Sequence, residues 1–114
     1  MKSHAAVAAE LLGSEELVCG ALENLESSAL PEKDKALLRF VAKVNHRAWE
    51  ISADDMKPLY AVGWTDEANY YAVSVCALFN FYNRWIDATG VHAMSEEAHR
   101  ESAKRTAKHG YNPK

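Results

Sequence analysis

Apolar positions along this chain recur with the period of helices, and breakers fall between the periodic stretches. An alanine-rich segment from about Ser3 to Leu12 stops at Gly13. Ser14 then caps a second helix, with Glu15 and Glu16 in its positive first turn, running to about Leu25. After a loop from Ser27 to Pro31, a third helix carries Leu37, Phe40, Val41 and Val44 on one face and Lys33, Asp34, Arg39 and Lys43 away from it. Ser52 opens a fourth helix, with Asp55 in capping-box position and Ile51 placed to staple onto Met56. Pro58 falls inside it and predicts a kink or a late start. Gly63 is placed to end that helix in the left-handed conformation, with Trp64 folding back on Leu59. Thr65 caps a long fifth helix, about Asp66 to Thr89, closed by Gly90. Ser95 caps a last one, to about His109, with Gly110 and Pro113 beyond it. No stretch alternates with period two over strand length. The pattern predicts an all-α fold of about six helices, in one domain spanning residues 1–114.

The fifth helix carries the most information. From Tyr70 to Tyr82 nearly every position is apolar or aromatic. A surface helix needs one apolar stripe, whereas a helix apolar all round is expected to be buried all round. Five other short helices supply little material for that. The expected solution is a homo-oligomer in which another copy covers the aromatic helix around Tyr70–Tyr82. The end of the same helix carries a polar line, Asn80, Asn83, Arg84 and Asp87, at positions i, i+3, i+4 and i+7 and therefore on one face. Arg84 is placed to pair with Asp87 or to hydrogen-bond to Asn80. Such a line serves as a network fixing helix register or binding loop carbonyls. The competing reading is that it lines a pocket or supports a neighbouring active site.

Composition narrows the function classes. The chain has 114 residues, 25% of them charged, and a net charge of −3. No basic, aromatic-studded stripe of the kind that grips nucleic acid occurs. No apolar run approaches the ~18 residues of a membrane span, and no signal peptide is read at the start. Two cysteines, Cys19 and Cys76, lie in apolar helical contexts and are expected to be buried thiols; a reducing cytoplasm fits them. Of the five histidines, none pairs with another His or a Cys at metal-ligand spacing. Glu96 and His99 have the i, i+3 spacing used in di-metal bundles, but one such pair makes no site. No glycine-rich phosphate loop or nucleophile elbow occurs. Neither a metal nor a cofactor is expected.

Several stretches carry a resemblance. They are SHAAVAAELLGSEELV at 3–18, LPEKDKALLRFVAKVN at 30–45, ISADDM at 51–56, GWTDEA at 63–68, FNFYNRWIDATGV at 79–91, and the tail AKHGYNP. In this order and spacing they resemble the alkylhydroperoxidase D-like family, in its peroxidase-related branch, which is grouped with carboxymuconolactone decarboxylases. Its most specific feature here is N-x-x-N-R, read as Asn80, Asn83 and Arg84. The resemblance implies an oligomeric helical bundle that reduces peroxides through a Glu, a C-x-x-C pair and a histidine four positions after the second cysteine. The second thiolate attacks the peroxide, the first resolves it as a disulfide, and Glu and His move protons. The chemistry is sound, since a thiolate is the nucleophile and a nearby thiol intercepts the sulfenic acid.

Only His4 fits that motif. Counting back four places puts the second cysteine immediately before Met1, and neither Cys19 nor Cys76 belongs to a C-x-x-C. Two readings follow. Met1 is an internal methionine of a longer peroxidase, in which His4 is the proton relay; or the chain is a short relative that has lost redox catalysis and serves as a helical binding or assembly module. Either way, this chain itself is expected to show no peroxidase turnover. Decarboxylation or lactone chemistry, by analogy with the wider grouping, finds no acid or base here.

Overall fold

The computed structural model describes residues 3–111; Met1 and Pro113, which enter the sequence reading, lie outside them. Six α-helices occur among the described residues: α1 (Ser3–Leu12), α2 (Glu15–Glu23), α3 (Glu32–Arg47), α4 (Lys57–Ala61), α5 (Asp66–Thr89) and α6 (Glu96–His109). Two 3₁₀ turns, Ala48–Glu50 and Ala53–Met56, lie between α3 and α4. No strand occurs among the described residues. The chain forms two units, Pro31–Val91 and the flanking segments Met1–Leu30 with His92–Lys114.

In the flanking unit, α1 packs on α6 and on α2. The buried residues there are Ala6, Val18 and Ala103. Small side chains on both α1 and α6 let the helices lie close, at the expense of apolar volume. Gly13 takes φ 69°, the left-handed conformation that lets α1 end sharply and Ser14 follow at once. The Ser14 hydroxyl accepts the Leu17 N–H at 3.1 Å. The second helix ends two residues earlier than the pattern predicts. Asn24 adopts extended backbone, and its side chain accepts the Glu26 N–H at 3.0 Å, so a local Asx turn competes with the helix and wins.

The Pro31–Val91 unit is built on Ala36 and Phe40 of α3 and Leu59 of α4, with Leu37, Val41, Val44, Ile51, Met56, Val62, Trp64 and Val73 packed around them. Leu59 is fully buried. The predicted fourth helix is divided. Ser52 and Asp55 form the capping box, with the Ser52 N–H on Asp55 Oδ2 at 2.8 Å, but the first turn is 3₁₀. The α-helix starts late, with Pro58 in its first turn, where its missing N–H costs nothing. Gly63 at φ 87° donates to the Tyr60 carbonyl, and Trp64 N–H donates to the Leu59 carbonyl, both at 3.0 Å. This pair of bonds is a Schellman closure, and it turns the Trp64 ring back onto the core. Trp64 Nε1 donates to the Lys33 carbonyl at 2.8 Å, and the Lys33 ammonium stands 4.6 Å from the ring centroid. Lys43 reaches from α3 to Asp55 at 2.5 Å.

Two expectations follow. Leu59→Ala empties the centre of a small core and lowers stability by about 3 kcal/mol, read by urea unfolding. The Lys43 hydrogen bond to Asp55, helped by the Ser52 N–H, holds this carboxyl below its ordinary range. A carboxyl lowered in the folded state stabilises at pH above its unfolded value, about 3.9, and loses that contribution as pH falls through the folded value. Asp55→Asn therefore melts at lower temperature than the parent at neutral pH, and the difference closes on acidification below about pH 4.

Candidate functional site

The candidate site is α5. Thr65 accepts the Ala68 N–H at 3.2 Å and opens the helix, with Asp66 and Glu67 in its first turn. Nothing in the next 22 residues breaks it, and Gly90 closes it at φ 70°. Two opposite faces result, because each residue turns the side-chain direction by about 100°.

The face toward α3 is mostly polar or small. Val73 reaches the core cluster. Asn69 is buried to 3% exposure, and neither side-chain amide atom has a hydrogen-bond partner within the protein. Asn80 Nδ2 donates to Asn45 Oδ1 of α3 at 2.6 Å and to the Cys76 carbonyl at 3.0 Å. Its Oδ1 accepts Arg84 Nη1 at 2.7 Å, and the same nitrogen reaches the Asn80 carbonyl at 3.1 Å. The Cys76 thiol lies 4.0 Å from Asn45 Oδ1. The result is a directed chain, Arg84 to Asn80 to Asn45, that uses both ends of the Asn80 amide and fixes α5 against α3. Arg84 thus bonds to Asn80, the second of the two partners the spacing allowed. Asn83, Arg84 and Asp87 are exposed, Asn80 partly buried.

The opposite face holds Tyr70, Tyr71, Val75, Leu78, Phe81, Tyr82, Trp85 and Ile86, all exposed. Within the single chain α5 has a neighbour on its polar face and presents its rings outward. Cys76 is correspondingly half-buried, as is Cys19 of α2, in place of the full burial expected for both.

His4 stands in the first turn of α1 and is exposed. Cys19 belongs to the flanking unit and Cys76 to the Pro31–Val91 unit, both as free thiols. Among the described residues no three His, Cys, Asp or Glu side chains converge as a metal site. His99 of α6 has its Nδ1 buried without a hydrogen-bond partner. The flanking unit contains a cleft of about 200 Å³ bordered by Glu10, Glu15, Glu96, Arg100 and Lys104. Its charges are mixed, and no cysteine, serine or histidine borders it. No helix among the described residues is long and apolar enough to cross a membrane. Tyr60 donates to Asp66 across the turn into α5, and that bond raises the phenol pKa.

Asn45 and Asn69 are the site residues that the sequence reading missed. The signal for Asn69 was present: continuing the line of Asn80 back by four, seven and eleven residues reaches Cys76, Val73 and then Asn69. Asn45 is visible only once α3 and α5 are known to touch. Against known proteins, the chain matches no family model and no curated protein.

The Asn80 amide sets the next expectation. Asn80→Ala unties Asn45, Cys76 and Arg84 together and lowers stability by about 1–2 kcal/mol. Asn80→Asp keeps the acceptor for Arg84 but loses the donor to Asn45, and falls between the two. Thermal melts of both variants check this.

Proposed function

We propose that this chain is a self-associating helical assembly module of the alkylhydroperoxidase D-like kind, with α5 as its association surface and without thiol-peroxidase turnover of its own. One observation carries the reading: the eight apolar side chains on the outer face of α5 are 38–70% exposed, while the face turned inward is built of amides and small groups. A soluble monomer gains nothing from a helix placed in this sense. Contiguous exposed apolar surface of this extent marks an interface. The family part of the reading rests on the residue resemblance, including the Asn80, Asn83 and Arg84 segment and the place of His4. The absence of turnover rests on the two thiols, which form no C-x-x-C.

In this reading the amide chain between α5 and α3 acts as a positioning device. It sets the rotation of α5, and the rotation decides which side chains face a partner. A longer protein bearing the C-x-x-C would add peroxide reduction to the same scaffold, with His4 as its proton relay.

Sedimentation velocity and light scattering test the association. The full chain is expected to be oligomeric at micromolar concentration. Trp85→Ala or Phe81→Ala is expected to raise the dissociation constant about 30-fold or more, as loss of a central aromatic anchor does. A parent chain that stays monomeric at millimolar concentration defeats the reading. Peroxide consumption with a dithiol reductant is expected at the uncatalysed rate. Turnover that disappears in Cys19→Ser or Cys76→Ser would place the chemistry inside this chain after all.

A further inference from the structure

The partner surface has a register of its own. Tyr71, Ser74, Leu78, Phe81 and Trp85 follow one another at spacings of three, four, three and four residues, the seam of a helix pair. Val75 and Tyr82 flank it. Ser74 is the one hydroxyl in mid-seam, and its Oγ already donates to the Tyr70 carbonyl at 2.8 Å. Thr89, at the C-terminal end of the same face, donates to the Trp85 carbonyl at 2.7 Å. Both of these hydroxyls are satisfied within the helix, so covering them leaves neither unpaired. Five rings at 46–70% exposure leave about 600 Å² of aromatic surface open, taking about 200 Å² for each ring. With three aliphatic side chains added, this approaches the roughly 800 Å² that each partner gives to a stable interface.

Resting on the self-association proposed above, we infer that the occupant is a second copy of this chain, docked with α5 antiparallel to its mate across a two-fold axis at Leu78. Leu78 then meets Leu78. Ser74 lies opposite Tyr82 and Val75 opposite Phe81, so next to the axis a smaller side chain faces a ring, and further out Tyr71 lies opposite Trp85, ring to ring. The contact is isologous and closes as a dimer. Charge favours this arrangement over the parallel one. Glu67 continues the seam four residues before Tyr71. Parallel pairing sets Glu67 against Glu67 and aligns two helix dipoles, whereas antiparallel pairing sets Glu67 opposite the neutral Thr89 and opposes the dipoles.

Disulfide cross-linking of the full chain, in a Cys19→Ser/Cys76→Ser background, decides the register. Leu78→Cys is expected to form covalent dimers under mild oxidation. Tyr71→Cys and Trp85→Cys chains are expected to cross-link when mixed, several-fold more than either does alone. Glu67→Cys mixed with Thr89→Cys puts the same question without removing a ring. Tyr71→Cys or Glu67→Cys chains that cross-link readily with themselves overturn the antiparallel register, although sedimentation still shows a dimer and the association stands. A parent chain that is monomeric, its face taken by another protein or a lipid surface, overturns both.

Discussion

The structure depends on the rotation of α5 about its own axis. This helix carries enough apolar surface to be the centre of a core, yet it meets α3 through Asn69, Val73, Cys76 and Asn80. The hydrophobic effect alone favours the other rotation, with Leu78, Phe81 and Trp85 turned inward. What ties the observed rotation is Val73, which packs on the core cluster, and the bond from Asn80 to Asn45, the one Asn80 side-chain bond that crosses to α3; its bonds to the Cys76 carbonyl and from Arg84 lie within α5 and turn with it. In this rotation Val73 reaches the core and Asn80 reaches Asn45, while Leu78, Phe81 and Trp85 stay exposed.

The same trade explains how little of each unit is fully enclosed. Around Leu59 the core is made of one ring, one alanine and a rim of half-buried side chains. Much of the order in that unit comes from groups that hold the connection between α3 and α5 in place: the Schellman closure at Gly63, the Trp64 indole on the Lys33 carbonyl, and the Lys43–Asp55 ion pair. Each fixes the path of the chain near the start of α5. The flanking unit relies on alanine-mediated approach of α1 and α6, which gives close packing with little buried area. Both units thus enclose few side chains completely.

Asn69 is the residue that fits this account least comfortably. It is almost completely buried and its amide has no protein partner, an arrangement that costs of the order of 1–3 kcal/mol. It lies on the same line as Cys76 and Asn80, two turns before the former and three before the latter. The structure shows no contact that rewards it.

Local chemistry made most of the helices legible in the sequence. Serine and threonine caps at Ser14, Thr65 and Ser95, and left-handed glycines at Gly13, Gly63 and Gly90, act within a few residues of themselves, so their effect does not depend on the rest of the fold. The early end of α2 is a local contest between two nearby signals, Asn24 against helix continuation, whereas the late start of α4 at Pro58 was legible from the proline itself. The polar line at Asn80, Asn83 and Arg84 was likewise visible, because positions three and four apart share a face. The sequence could not say which face of α5 would turn inward. Periodicity states that two faces differ and is silent about which one finds a neighbour. That choice appears only in the tertiary structure, where Val73 meets the core and Asn80 meets Asn45, thirty-five residues before it, because contacts between distant segments exist only after the chain has brought them together.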